Sequence, residues 1–416
     1  MKLSVFRAFL IWGVFLLGIL PAKLKAQDTL EISKAIQAFE AGDLESGVLL
    51  FNDAIASFPD SSFLFLFRGI CHAELGEGAA ALADYAQAIR LEPYLPEPFL
   101  ERARLRTEMG ELDAALKDLR ICLKYAPGYL EALLLRSEIY LETGNLQEAM
   151  SNLEYARRIA PKNAAVYCLR AEAQEMMGEA KLALKAANLA VKLAPSDPLA
   201  YATRSLILFY SNKTQAALSD INQAISLAPQ QYSLLNSRAY IYWALGDSSN
   251  ALQDLSTYIE ADKDAYEAFL TRAYFHESAT RFDEAERDLL HARKMRPQDA
   301  LIASNLAFLY VRLERFKEVI QLLDPIIEKS PELAFAYSSL GFARFRLGET
   351  SRGLKDLNRA IRLDSGDPRA FYHRALIYLS LDKKDNACED LMMARALGFE
   401  AMYSENLEEL SKAVCK

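Results

Sequence analysis

The sequence predicts an all-α fold: an α-solenoid of about eleven 34-residue helix-turn-helix repeats, followed by a C-terminal capping helix. The first observation is the spacing of prolines. Eight of them are separated by 34 residues or by twice that distance: Pro59, Pro93, Pro127, Pro161, Pro195, Pro229, Pro297 and Pro331. Numbering each proline as position 32 of a unit divides residues 28–401 into units that start at 28, 62, 96, 130, 164, 198, 232, 266, 300, 334 and 368. A fixed period without insertions is typical of units that stack on one another.

The second observation is a set of small residues on the same period. Position 8 is Ala, Gly or Ser in every unit, and positions 20 and 27 are Ala in eight units each. The third observation is glycine at position 15 in seven units, which permits the positive φ of a tight turn. Each unit therefore predicts two helices that approach closely and are joined at position 15. Proline at position 32 ends the second helix, because it cannot continue the hydrogen-bond ladder.

This pattern of period, small residues and terminal proline resembles the tetratricopeptide repeat family over residues 28–401. The resemblance implies antiparallel helix pairs stacked into a right-handed superhelix. It also implies a concave groove, lined by the first helix of each unit, that holds a peptide or a helix of a protein partner.

Arginine and aspartate follow the same period at two positions that would otherwise be apolar. Position 7 is Arg in eight units and position 23 is Asp in seven. These positions lie eight residues before and eight residues after the turn, so they stand at the same height in an antiparallel hairpin. We therefore predict structural ion pairs between Arg68 and Asp84, Arg102 and Asp118, Arg204 and Asp220, Arg238 and Asp254, Arg272 and Asp288, and Arg374 and Asp390. The alternative is a row of arginines that binds an anionic ligand, but the aspartates that accompany them favour the structural interpretation.

In the family that the sequence resembles, positions 2, 5, 6, 9, 12 and 13 of the first helices face the groove. Units three to five place acidic residues there, among them Glu101, Glu138 and Glu172. Later units place aromatic and amide side chains there: Phe209, Tyr210, Asn236, Tyr240, Trp243, Tyr274, Asn305, Phe308, Phe342 and Phe345. We predict that these residues bind a partner, with rings that contact side chains and amides that hydrogen-bond to a peptide backbone. The alternatives are core packing for the aromatics and simple solubility for the glutamates.

Residues 402–416 form an amphipathic segment that predicts the capping helix a repeat array needs. Cys388 and Cys415 lie at similar heights in the last second helix and in this segment, so a disulfide is possible in an oxidising compartment. Cys71, Cys122 and Cys168 are distributed among different units and are interpreted as small buried residues.

Composition excludes several classes of function. The formal net charge of −8 argues against nucleic acid as the main partner. The sequence contains only four histidines, and it has no phosphate-binding loop, zinc-ligand spacing or catalytic triad. We therefore expect no enzymatic activity, no cofactor and no metal.

The first 26 residues differ from the repeats. A short basic start is followed by the apolar run "AFLIWGVFLLGIL" at residues 8–20 and by a small residue, Ala26. This layout predicts a secretory signal peptide of residues 1–26, and the alternative is an uncleaved membrane anchor. With cleavage no membrane span is expected, and the protein is expected to be exported to the periplasm or beyond the cell, with a bacterial envelope as the most suitable setting.

Together these features predict a non-catalytic scaffold of the cell envelope that holds an extended peptide or helix of a protein partner. The alternative is a carrier that binds a glycan or a lipid in the aromatic half of the groove.

Overall fold

The computed structural model describes residues 26–399 and 407–415. The predicted signal peptide, apart from Ala26, and residues 402–406 and 416 of the predicted cap lie outside these ranges. All regular secondary structure among the described residues is α-helical, and the helices form antiparallel hairpins in chain order. The fold is therefore the all-α solenoid that the sequence predicts. The described residues divide into two compact bodies, with the boundary between Asp220 and Ile221.

The first body contains five complete hairpins, which correspond to the units starting at residues 28, 62, 96, 130 and 164, and most of a sixth. Its helices are α1 Ala26–Ala41, α2 Leu44–Ser57, α3 Ser62–Glu74, α4 Gly78–Leu91, α5 Pro96–Glu108, α6 Leu112–Tyr125, α7 Leu130–Glu142, α8 Leu146–Ile159, α9 Ala164–Met176, α10 Ala180–Leu193 and α11 Pro198–Tyr210. Helix α12, Thr214–Leu227, contains the division between the bodies.

The second body continues the alternation with five hairpins, which correspond to the units starting at 232, 266, 300, 334 and 368. Its helices are α13 Ser233–Ala244, α14 Ser248–Ala261, α15 Tyr266–Ser278, α16 Phe282–Met295, α17 Ala300–Arg312, α18 Phe316–Lys329, α19 Ala334–Arg346, α20 Thr350–Leu363, α21 Pro368–Ser380 and α22 Lys384–Ala396. A short last helix, α23 Leu407–Val414, covers the end of this body, where Leu407 and Phe399 are buried against Leu391.

The eleven turns share one backbone conformation at position 15. Seven are glycines with φ between 73° and 89°, and the other four are Asn212, Thr280, Glu314 and Asp382 with φ of 56–58°. The left-handed region is costly for residues with a Cβ, so glycine at most turns reflects this geometry. The four exceptions show that the stacked helices impose the turn even where the residue does not favour it.

Small residues bring the two helices of a hairpin into contact. The clearest case joins α19 to α20, where a Cβ on Gly341 would lie 2.9 Å from the carbonyl oxygen of Gly353. A Cβ on Gly353 would lie 2.6 Å from the carbonyl oxygen of Gly341. Neither helix could approach this closely with a side chain at the crossing point.

The ninth unit replaces the polar pair by apolar residues. Leu306 and Leu322 occupy positions 7 and 23 there, and they are 0% and 3% exposed within the core of the second body. The hairpin thus accommodates either an ion pair or two leucines at the same two positions.

Candidate functional site

All six predicted arginine–aspartate pairs are formed between the two helices of their hairpins. In each pair the Nε and Nη2 atoms of the arginine donate to the two carboxylate oxygens of the aspartate. The shortest nitrogen–oxygen distances recorded for the ion pairs are 2.5 Å for Arg68–Asp84, 2.6 Å for Arg102–Asp118 and Arg204–Asp220, and 2.7 Å for Arg238–Asp254, Arg272–Asp288 and Arg374–Asp390. Because both carboxylate oxygens are occupied and the aspartates are buried, this arrangement is structural and offers little to a ligand.

The sequence did not reveal a second partner that most of the position-7 arginines have. In most units Nη1 of the position-7 arginine donates to the position-25 side chain of the preceding unit. The distances are 2.6 Å for Arg68–Asn52, 3.3 Å for Arg204–Asn188, 2.9 Å for Arg238–Asn222, 3.1 Å for Arg272–Ser256, 2.7 Å for Arg374–Asn358 and 2.8 Å for Arg170–Glu154. Each arginine therefore ties two units together, and asparagine at position 25 in four units was the signal that could have predicted it.

The tenth unit forms the same connection from another position. Leu340 stands at position 7, and Arg344, one helical turn later, donates to Asp356 and, at 2.7 Å, to Asp324 of the ninth unit. The network thus depends on where a guanidinium can reach and not on one fixed position.

Acidic side chains line the first helices of units three to five in the first body. Glu101 is only 13% exposed in its side chain and lies 3.5 Å from Arg104. Burial raises its pKa to about 7, against a partial opposing effect of Arg104. Burial likewise raises the pKa of Glu172 to about 7, with Glu138 of the preceding unit acting in the same direction. Glu138 is exposed, and the three glutamates lie on the consecutive first helices α5, α7 and α9. We refer to them as the acidic face; the charges of Glu101 and Glu172 on it depend on pH near neutrality.

The aromatic residues predicted in the first body are adjacent to one another. Tyr210 is 57% exposed, and its ring centroid lies 5.9 Å from that of half-buried Phe209. Both belong to the last turn of α11.

The second body holds a larger aromatic group around Phe275, which is completely buried. Trp243 stacks on Phe275 with ring centroids 4.3 Å apart, and Tyr240 and Tyr274 contact it at 5.4 and 5.8 Å. Tyr240 and Tyr274 keep 41% and 54% of their surface exposed. The rings of Tyr240 and Tyr274, which lie one repeat apart, therefore both contact the buried ring of Phe275 while they remain exposed to solvent.

Polar groups accompany these rings. The hydroxyl of Tyr240 lies 3.4 Å from that of Thr271, which in turn donates to the Glu267 carbonyl. The predicted residue Asn236 is half-buried, and its Oδ1 atom is buried without a hydrogen-bond partner among the described residues. A buried acceptor that lacks a donor favours a ligand that brings an N–H group.

The remaining predicted residues lie in the ninth and tenth units and are less accessible. Phe342 is a correction: it is only 9% exposed, it stacks on His373 at 4.1 Å, and it belongs to the core. Phe345 is half-buried against the same core, and Phe308 and Asn305 are half-buried. Phe342 is thus unsuited to contact a partner directly.

The disulfide considered from the sequence is present, joining Cys388 of α22 to Cys415 just after α23 with their Cα atoms 5.2 Å apart. Cys71, Cys122 and Cys168 are buried and free. Among the described residues, no group of three or more potential ligands is placed to hold a metal ion. No helix of the described ranges is long and apolar enough to cross a membrane.

Helical hairpins in register and a ladder of structural ion pairs define a class: an all-α repeat protein of the solenoid type. Two tetratricopeptide repeat family models match the chain, one over residues 33–96, 100–164 and 203–268 and the other over residues 368–394. Together they match more than half of its length. The chain belongs to the tetratricopeptide repeat family, whose members generally mediate protein–protein interaction and are generally non-catalytic.

Similar proteins agree with this assignment. Tetratricopeptide repeat protein 36 of Bos taurus is 33% identical over 129 residues, which are 29% of this chain and 65% of that protein. Cellulose synthase operon protein C of Pseudomonas fluorescens is 33% identical over 108 residues, which are 26% of this chain and 8% of that protein. The solved structure of a tetratricopeptide repeat protein from Parabacteroides merdae has a TM-score of 0.54 and 21% identity, covering 60% of this chain and 99% of the other. The matched region spans less than two thirds of both curated relatives.

Proposed function

We propose that this protein is a non-catalytic scaffold that holds a segment of a partner protein on the first helices of its second body. The observation that carries the proposal is the pair of exposed rings, Tyr240 and Tyr274, fixed one repeat apart on the buried ring of Phe275. Rigid aromatic side chains give large contact area for little loss of side-chain entropy. The unpaired Oδ1 of Asn236 adds an acceptor for a backbone N–H, which favours a peptide over a lipid.

The acidic face of the first body supports a basic partner segment. Glu101 and Glu172 both have pKa values near 7, so a Lys or Arg side chain that docks beside them would favour their charged forms. We propose that this face binds a basic segment by charge.

We further propose that the scaffold acts outside the cytosol, in a bacterial envelope. The apolar run at residues 8–20 supports export, and so does the bond between Cys388 and Cys415, since disulfides persist in oxidising compartments. Fractionation and the mass of the mature protein test this: a cytosolic protein that retains residues 1–26 contradicts it.

The binding proposal is tested by replacing both exposed tyrosines, Tyr240→Ala with Tyr274→Ala, in the full chain. Loss of two such contacts is expected to weaken partner binding by about 2 kcal/mol, roughly thirtyfold. The matched control is Tyr94→Ala with Tyr125→Ala, an exposed pair in edge contact at 5.3 Å elsewhere in the chain. Proteins captured from an envelope extract should be lost with the first variant and kept with the second. Unchanged protein capture by the Tyr240→Ala, Tyr274→Ala variant would contradict a protein partner. Binding of the unmodified chain to a glycan array, lost in this variant while its protein capture is kept, would contradict it as well.

A further inference from the structure

The second helices of units two to five carry a basic surface on an otherwise acidic protein. It comprises positions 18, 22, 25 and 29 of α4, α6, α8 and α10, where side chains spaced three, four or seven residues apart share one helix face. Exposed basic side chains occupy eight of these positions: Arg90, Lys117, Arg120, Lys124, Arg158, Lys181, Lys185 and Lys192. We refer to this set as the basic surface.

Acidic residues do little to neutralise the basic surface. Its only acidic members among these positions are Asp113 and Glu154. Glu154 already pairs with Arg157 at 2.6 Å, with Arg158 at 3.8 Å and with Arg170 at 2.8 Å. The surface therefore keeps a local positive charge although the whole chain has a formal net charge of −8.

At one junction on this surface a basic residue stands where other junctions have a hydrogen-bond acceptor. In six units Nη1 of the position-7 arginine donates to an Asn, Ser or Glu at position 25 of the preceding unit, at 2.6–3.3 Å. Between units three and four these two positions are Arg136 and Arg120. Because the side chains at these two positions are hydrogen-bonded at those six junctions, Arg120 and Arg136 stand in register to face each other, and neither of them supplies an acceptor.

Neither arginine has a carboxylate partner to offset this arrangement. Nε and Nη2 of Arg136 both donate to Oδ1 of Asn152, a neutral amide where most units have aspartate. The side chain of exposed Arg120 forms no hydrogen bond or ion pair with another residue that the structure describes. Burial lowers the pKa of Arg136, and the charge of Arg120 acts in the same direction. A carboxylate placed between the two groups would satisfy both.

We propose that the basic surface binds an acidic segment of a partner protein, and that Arg120 and Arg136 together hold one of its carboxylates. A carboxylate on a flexible side-chain stem can reach the half-buried edge of Arg136, whereas a lipid phosphate is confined to the plane of a bilayer. Leu182 and Leu189 are 47% and 36% exposed beside the lysines of α10, and they offer contacts for apolar side chains of the same segment. The inference uses the second helices together with Arg136 of α7, and it is independent of the tyrosines on which the proposed function rests.

The test uses the full chain and a fluorescein-labelled synthetic peptide of Glu-Ala-Leu-Glu repeats, with fluorescence anisotropy as the readout. Arg120→Gln with Lys124→Gln is expected to weaken binding about tenfold, since each exposed charge contributes modestly. The control, Lys355→Gln with Arg362→Gln, removes two exposed basic residues at positions 22 and 29 of the tenth unit and should change binding less than about twofold. Equal weakening by both variants, or no binding by the unmodified chain at low salt, would overturn the proposal.

A second variant separates binding from folding. Arg120→Glu restores an acidic acceptor to position 25, as Glu154 does in the next unit, so it should stabilise the junction and yet abolish peptide binding. Retained peptide binding by this variant would overturn the proposal that Arg120 and Arg136 hold a carboxylate. Phosphatidylserine vesicles are the alternative probe. Vesicle binding that depends on Arg120, with no binding of the peptide, would assign the basic surface to membranes and overturn the proposal. Tyr240→Ala with Tyr274→Ala should leave peptide binding unchanged, so failure of one proposal is distinguishable from failure of the other.

Discussion

Replacing Asp254 by leucine is expected to destabilise the second body more than replacing Asp254 and Arg238 together. Asp254 is 9% exposed in its side chain and accepts two bonds of 2.7 Å from Arg238. Its removal leaves a guanidinium that is only 22% exposed and keeps just the bond to Asn222, at 2.9 Å. We expect Asp254→Leu to cost about 3 kcal/mol, the lower end for a broken buried pair, because Arg238 can still reach water.

The double variant Arg238→Leu with Asp254→Leu copies what the ninth unit already contains. Leu306 and Leu322 occupy the equivalent positions there and are buried. Since apolar replacement of a buried ion pair is often neutral, we expect the double variant to lie within about 1 kcal/mol of the unmodified protein. Arg238→Leu alone should also cost about 3 kcal/mol, because it leaves the buried carboxylate of Asp254 unpaired. The coupling energy between the two sites is then about 5 kcal/mol.

Urea unfolding combined with hydrogen exchange of α13 and α14 measures this coupling locally, because a repeat array does not unfold in one step. The control cycle is Glu349→Leu with Arg352→Leu, an ion pair with side chains 39% and 75% exposed, whose coupling should stay below about 0.5 kcal/mol. Additive costs in the Arg238–Asp254 cycle would refute a buried structural pair.

Three further changes test other features. Thr280→Gly should stabilise the α15–α16 hairpin by about 1 kcal/mol, because it relieves the left-handed φ of 58° at a β-branched residue. Gly246→Thr, the reverse change, should destabilise its own hairpin in urea unfolding. Destabilisation by Thr280→Gly or stabilisation by Gly246→Thr would contradict the turn geometry. Glu101→Gln should stabilise the first body by about 2 kcal/mol at pH 8, because a carboxyl with its pKa raised from 4.5 to about 7 loses folding stability as pH rises through that interval; an unchanged pH dependence of hydrogen exchange would exclude this. Cys388→Ser should release α23, since a link that closes 27 residues contributes about 3.5 kcal/mol, and Cys71→Ser is the control; equal exchange in α23 before and after substitution would contradict it.

Acidification is expected to destabilise the last units, whereas it is expected to stabilise the first body through Glu101. Burial, with Arg369 nearby, lowers the pKa of His373 to about 3. A histidine held neutral in the fold contributes stability above its unfolded pKa that is lost as pH falls. The first body is thus expected to gain stability on mild acidification while the ring contact of His373 with Phe342 is weakened.

The helices were predictable because each boundary has a local cause. Every position-32 proline lies two residues after the last residue of a second helix, as Pro127 follows Tyr125. Position 15 adopts positive φ in every turn, and the sequence marks it with glycine in seven. The ion pairs were equally predictable from the sequence, because a separation of 16 residues across a fixed turn places both members at the same height in the hairpin.

Exposure at the candidate site was less predictable, because the next repeat decides it. Position 9 holds Tyr240 in the seventh unit and Phe342 in the tenth, two similar rings in the same register. The neighbour of Tyr240 is Thr271, a small residue that leaves the ring accessible. The neighbour of Phe342 is His373, whose own ring lies flat on it. A single unit read alone cannot distinguish these cases.

The bond between one unit's position-7 arginine and the preceding unit's position-25 side chain has a consequence for how such arrays can grow. A segment that carries both halves is compatible with a copy of itself. Residues 232–265 are such a segment, since they contain Arg238 at the head and Ser256, the acceptor used by Arg272, at the tail. Tandem duplication of that segment would join like to like without a mismatch. Duplication of residues 96–129 would instead place Arg120 against a new copy of Arg102, and would add a second junction of two arginines to the one that Arg120 and Arg136 already form. The inter-unit bond thus makes some segments of the array easier to duplicate than others.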